Sequence, residues 1–154
     1  MQVVELRPDQ PTADEPGRLI IAHLDQMAAQ TPSESVHAIG IAGLDAPDVA
    51  FFSLRVDGLA VAIGAIKDLG DGHGELKSMH VAAERRGTGL GRMLLVQLMQ
   101  RAQDRGMIRL SLETGATEPF TAARGLYAAL GFRDCAPFGA YAPDPHSVFM
   151  TRVL

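Results

Sequence analysis

The sequence predicts an α/β (α+β) domain built on a mixed sheet with helices over both faces. Three observations lead there. The apolar runs "VAFFSLRV" and "LAVAIGAIKD" are joined by Asp57-Gly58, a hairpin signal. Later strand-like runs alternate with helical patterns instead. And a strand from Glu75 feeds a helix through the glycine-spaced turn "RRGTGLG". With 154 residues, 1–154 reads as one domain.

The elements follow in order. "QVVEL" is a short strand ended by Pro8. From Ala13 to Gln30, Leu19, Ile20, Leu24, Met27 and Ala28 recur at helical spacing behind early acidic residues. Thr31 to Asp48 is loop-like. The hairpin comes next, "DGHG" separates it from "ELKSMHV", and a helix is expected from about Gly89 to Arg105. Its buried face should hold Leu90, Met93, Leu94, Leu98 and Ala102, and Gly106 should stop it. "MIRLSLETG" is a strand, "EPFTAARGLYAALGF" a helix with Pro119 near its start and Gly131 at its end, and "SVFMTRVL" the last strand.

Composition excludes several classes. Apolar residues make up 47% of the chain, enough for an ordinary packed core, and the net charge is −4. That balance argues against a nucleic-acid binder or a protein held on anionic membrane. The longest apolar run, "LAVAIGAI", is too short to span a bilayer, and the N-terminus has no region like a signal peptide. The cytoplasm is the default location. Cys135 is alone, so no disulfide forms within the chain, and no base pattern flanks it as a nucleophile would need. His23, His37, His73, His80 and His146 are scattered without the spacing of a zinc site, so no metal is expected.

The chemistry concentrates in "RRGTGLGRMLL". Glycines 87, 89 and 91 let backbone approach a ligand closely, and the helix behind them offers free amides and a positive dipole end. Arg85, Arg86 and Arg92 add charge for phosphate oxygens. A Walker loop needs Gly-Lys-Ser/Thr, which is absent, and a dinucleotide fingerprint needs glycine where Arg92 stands. The strand before the loop has a parity fault. Met79 and Val81 share a face but Leu76 falls on the other, so either a β-bulge lies near Lys77-Ser78 or Leu76 faces a second buried layer.

Arg86-Gly-Thr-Gly89-Leu-Gly91 resembles the R-x-x-G-x-G coenzyme A loop of the GNAT family of N-acetyltransferases. "ELKSMHV" resembles that family's central strand, and "ARGLYAALGF" its later helix, whose tyrosine faces the thioester. The order of elements matches over roughly the whole chain. The resemblance implies a mostly antiparallel mixed sheet of six to seven strands, bulged and splayed at its centre, with acetyl-CoA as co-substrate. It assigns Arg86, Gly87, Thr88, Gly89, Leu90, Gly91 and Arg92 to the pyrophosphate, and Met79, His80 and Val81 to the pantetheine arm and thioester carbonyl. Phe120 departs from the pattern, since many relatives carry asparagine there.

Transfer to an amine needs a base for the ammonium and benefits from an acid for the leaving thiolate. A neutral α-amine costs about 1–2 kcal/mol at pH 7 and a lysine amine about 4–5. Tyr127 is the expected acid, and Glu75 and Glu113 are candidate bases. His80, on the cofactor strand, is a candidate for the acceptor pocket. The expected acceptor is a small molecule, amino acid or peptide bearing a primary amine, with the loop Thr31–Asp48 and "PFGAYAPDP" shaping its pocket. Two alternatives stay open: acetylation of a protein lysine, and a non-catalytic acyl-CoA sensor. The oligomeric state stays open, a homodimer being common among relatives.

Overall fold

The computed structural model describes all residues 1–154. Strands β1 (Val4–Pro8), β2 (Val49–Val56), β3 (Leu59–Asp68) and β4 (His73–Val81) form an antiparallel meander. Strands β5 (Arg109–Gly115), β6 (Arg133–Cys135) and β7 (Ser147–Val153) form the other half, also antiparallel. One parallel pairing, β4 with β5, joins them into a seven-stranded sheet of order β1-β2-β3-β4-β5-β7-β6. Helices α1 (Asp14–Gln30), α2 (Ile41–Leu44), α3 (Leu90–Asp104) and α4 (Thr121–Ala129) complete it. None is long and apolar enough to cross a membrane.

Strand alternation divides the core between two faces. Phe52, Leu54 and Val56 pack with Leu94, Leu95 and Leu98 beneath α3. Phe51, their neighbour in sequence, packs on the opposite face with Ile20, Leu44, Ile63 and Ala65 beneath α1 and α2. The expected mixed sheet with helices on both faces is therefore present. Some local expectations differ. The segment read as loop contains a 3₁₀ turn at Ser33–Ser35 and the one-turn helix α2, held because Leu44 is buried. Met93 is exposed and Leu95 takes its place in the core, a small rotation of α3 about its axis. The edge strand β6 is short and mostly polar, and it exists because β7 offers it a partner.

The parity fault at Leu76 is a bulge. Lys77 pairs with Ala65 and His80 with Ile63, so Ser78 and Met79 together oppose Gly64. Ser78 takes φ +56°, left-handed backbone that a non-glycine residue adopts at a cost. Gly64 is bare because α3 lies against it, and a Cβ there would come within 2.7 Å of Leu98 Cδ1. On its other side β4 pairs with β5 only at His73–Arg109, Gly74–Leu110 and Glu75–Ser111. Beyond Glu75 the two strands part.

A buried ion network fixes α1 over the sheet. Arg55 donates to Asp9 at 2.7 Å and to Glu15, in the first turn of α1, at 3.0 Å. The other oxygen of Glu15 accepts the Ala60 amide. Burial works against ionised Asp9, but hydrogen bonds from Ser53 and Arg55 outweigh it and hold its carboxyl below the usual range. Such an arrangement is costly to break from one side. Arg55→Ala should destabilise the fold by roughly 3 kcal/mol in denaturant titration, the scale for stranding a buried carboxylate. A loss below about 1 kcal/mol would show the network to be a solvated surface pair.

Candidate active site

The gap between β4 and β5 opens into a cavity of about 640 Å³. Its walls are the diverging strand ends, α1 through His23, Gln26 and Met27, the segment from Ser35 to Ile39, and α4 through Leu126 and Tyr127. One end reaches the turn at Arg85–Gly87 and the start of α3, and the other reaches Tyr141.

At the α3 end the backbone is prepared for an anion. None of the amides from Gly87 to Arg92 donates to a protein acceptor. Gly87 and Gly89 take φ +76° and +83°, and a Cβ on either would meet open space, so the loop stands clear of the protein. Gly89 caps α3 without any side-chain bond. Unsatisfied amides at a helix start are the donor set that a pyrophosphate needs, so the residues fit coenzyme A. Arg86 crosses the loop, donating to the Val81 carbonyl at 3.2 Å and the Gln26 side chain at 2.8 Å. Thr88 turns its hydroxyl onto the Arg85 carbonyl.

The other end is polar and tightly bonded. Glu75 is buried, and one of its oxygens accepts both Lys77 Nζ at 2.9 Å and the Tyr141 hydroxyl at 2.6 Å. Lys77 also donates to the Tyr141 oxygen at 3.0 Å. Burial, helped by that carboxylate, pushes the Tyr141 phenol well above its usual value. Glu113 lines the same end with its acidity weakened by burial, Glu75 adding to the shift. Tyr127 is pushed up to about 12 by burial and by Glu113, so its hydroxyl keeps its proton at any working pH.

His23 and His80 meet in the wall between these ends, ring centroids 5.3 Å apart. Burial lowers both to about 4, with Arg86 nearby adding to the effect, so both are neutral. His23 Nδ1 is buried without a partner.

Of the residues singled out in the sequence, the cavity gathers Glu75, Glu113, Tyr127, Met79, His80, Val81, Arg86, Gly87, Leu90 and Gly91. Thr88, Gly89 and Arg92 lie outside its lining, where the loop faces solvent. Sequence reasoning missed Lys77, His37 and Asp144 and gave Tyr141 no role of its own. The only signal for them was positional, since they lie in or beside segments read as shaping the pocket.

A parallel pair splayed around a cavity, with bare helix-start amides at one end and carboxylates at the other, defines an acyltransferase that takes its acyl group from coenzyme A. The sequence model of the acetyltransferase (GNAT) family matches residues 16–132, and the chain belongs to that family of acetyl-CoA-dependent N-acetyltransferases. It is 44% identical over 136 residues to the uncharacterised N-acetyltransferase YedL of Escherichia coli, covering 88% of this chain and 86% of that one. Against the uncharacterised N-acetyltransferase YsnE of Bacillus subtilis the identity is 41%, covering 88% and 90%. A protein named IAA acetyltransferase from Azospirillum brasilense is 39% identical, covering 88% of each chain. Among solved structures, a proposed acyl-CoA N-acyltransferase of Klebsiella pneumoniae superposes with a TM-score of 0.80 at 33% identity, over 98% of this chain and 97% of that one. A GNAT fold neighbour from Elizabethkingia anophelis, solved with acetyl-CoA bound, superposes at 0.69 with 15% identity over 98% of each chain.

The bare loop makes a direct prediction. Acetyl-CoA should raise the melting temperature of the wild-type chain, because a ligand that binds only the folded state stabilises it. Gly89→Asp, which sets a carboxylate against the phosphates, should abolish that rise. An undiminished rise in a folded Gly89→Asp variant would take the loop out of the site.

Proposed function

We propose that the chain transfers the acetyl group of acetyl-CoA directly to the primary amine of a small molecule. Acetyl-CoA supplies the activated thioester, and the protein supplies position, charge and protons. The amides at the start of α3 hold the pyrophosphate, Arg86 frames the loop, and the unpaired side of β4 around Met79 to Val81 aligns the arm as an added strand would. A backbone amide near the bulge stabilises charge on the thioester oxygen. Glu113, a carboxylate without a cation bonded to it, draws in the substrate ammonium. Tyr127 gives its proton to the departing sulfur. Glu75 has its carboxylate held by Lys77 and Tyr141, which suits it to shaping the acceptor end.

The observation that favours a small acceptor over a lysine on a protein is the closure of that end. The segments around Ser35–His37 and Tyr141–His146 are bonded to each other through Asp144 beside the cavity wall, which narrows the room for a protein loop. A screen for free thiol release should find small amines used at least tenfold better, in kcat/KM, than lysine-containing peptides. Preference for peptides would replace this reading with the protein-lysine one.

Tyr127→Phe should keep acetyl-CoA binding and lose on the order of 100-fold in turnover, the range for one general acid. Turnover within threefold of wild type, with chemistry rate-limiting, would leave Tyr127 as a packing residue of the cavity wall.

A further inference from the structure

Asp144 lies in the segment before β7 and binds the segment after α1. Its Oδ1 accepts the Ser35 hydroxyl at 3.0 Å and the His146 amide at 2.9 Å, and its Oδ2 faces His37 Nε2 at 3.2 Å. A carboxylate so bonded stays ionised, so a neutral His37 must donate from Nε2. That fixes the tautomer and leaves Nδ1 as a bare lone pair, with no protein partner. His37 lines the cavity and meets Tyr141 edge to face, centroids 5.4 Å apart. Asp144 and Tyr141 face it from the segment before β7, Glu75 and Lys77 from β4, and Glu113 from β5.

We propose that His37 is the base that takes the proton from the acceptor ammonium, with Asp144 the positioning residue that holds its tautomer. The inference rests on the amine acetylation proposed above. An imidazole is a stronger base than a carboxylate and so better matched to an ammonium, which suits it to the transfer. The step balances. One ammonium proton moves to His37 Nδ1 and then to water. The freed lone pair bonds to the acetyl carbon as the carbon–sulfur bond breaks. The second proton, shed by the acylated nitrogen, replaces the one that Tyr127 gives to sulfur. Glu113 remains the charge that attracts the ammonium, and its acidity, weakened by burial, makes it the rival base.

The test begins by establishing wild-type transfer to an amine, whose failure would sink the function itself and not the dyad. With transfer in hand, His37→Gln should bind acetyl-CoA normally and lose about 100-fold in kcat/KM at pH 7. The deficit should close as pH rises toward the amine's own value, and added imidazole should restore activity to His37→Ala. Asp144→Asn keeps the shape but donates to Nε2, moving the proton to Nδ1, and should lose tenfold or more in kcat with little change in KM. Nitrogen-15 NMR of the wild-type chain should show His37 protonated at Nε2, a readout that survives any folding defect in the variants. The proposal is overturned by the Nδ1–H tautomer, by a His37→Gln rate within threefold of wild type across pH, or by a wild-type pH profile in that variant that only Glu113→Gln abolishes.

Discussion

Everything in this site depends on β4 and β5 running side by side for only the pairs from His73–Arg109 to Glu75–Ser111. Parallel strands normally continue until a loop ends them, because each unpaired amide and carbonyl left in an apolar setting costs free energy. Here the bulge at Ser78 turns β4 away before its end, and α3, the crossover between the strands, wedges its leucines under Gly64. The cleft is thus bounded by strand edges that lack partners and by a helix start that lacks acceptors. Both deficits are of the kind that an extended amide-bearing arm with a pyrophosphate at its end can satisfy.

The acceptor end answers the opposite problem, too many charges in a small space. Glu75, Lys77, Tyr141, Glu113, His37 and Asp144 are drawn together from β4, β5 and two loops. Lys77 neutralises Glu75, and the Ser35 hydroxyl, His37 and the His146 amide satisfy Asp144, which leaves Glu113 as the carboxylate of the cavity wall without a bonded cation. An uncompensated negative charge in a partly dry cavity is a stronger lure for an ammonium than the same charge in water. The pairs around it also hold the loops still. On the reading proposed above, an acceptor meets a formed pocket, which reduces its ordering cost.

The sequence made the fold and the cofactor end legible for reasons that lie in local chemistry. The Asp57-Gly58 turn, the glycine spacing from Gly87 to Gly91 and the parity of Leu76 against Met79 are all properties of short stretches, and each appears where it was read. The acceptor end was legible only in part. Glu75 and Glu113 stand out as carboxylates on strands, but Tyr141 reaches Glu75 from 66 positions away, and Asp144 meets Ser35 and His37 across 109 and 107. Asp144 in "APDPH" looks like any turn aspartate, and its pairing with Ser35 and His37 is decided by where β7 leaves the sheet. Met93 was misplaced for a related reason. Helical spacing alone cannot say how far a helix rotates on its sheet, and Leu95 won the inner position.

Phe120 shows how one departure from a family pattern reshapes its surroundings. The ring is buried at the mouth of the cavity and lies directly on Gly115, the last residue of β5. A Cβ on Gly115 would stand 2.1 Å from Phe120 Cδ2, so the aromatic ring and the bare backbone require each other. Arg124 fastens the turn from below, donating to the carbonyls of Gly115 at 2.6 Å and Thr117 at 3.1 Å. An asparagine in this position would offer the cofactor a polar contact. Phenylalanine offers an apolar face and excludes water from the end of β5 instead. On the reading proposed above, cofactor recognition rests more heavily on backbone, the bare amides from Gly87 to Arg92 and the open edge of β4. Phe120, Tyr127 and Glu113 line the same cavity, and burial is the leading cause of the upward shift in the latter two.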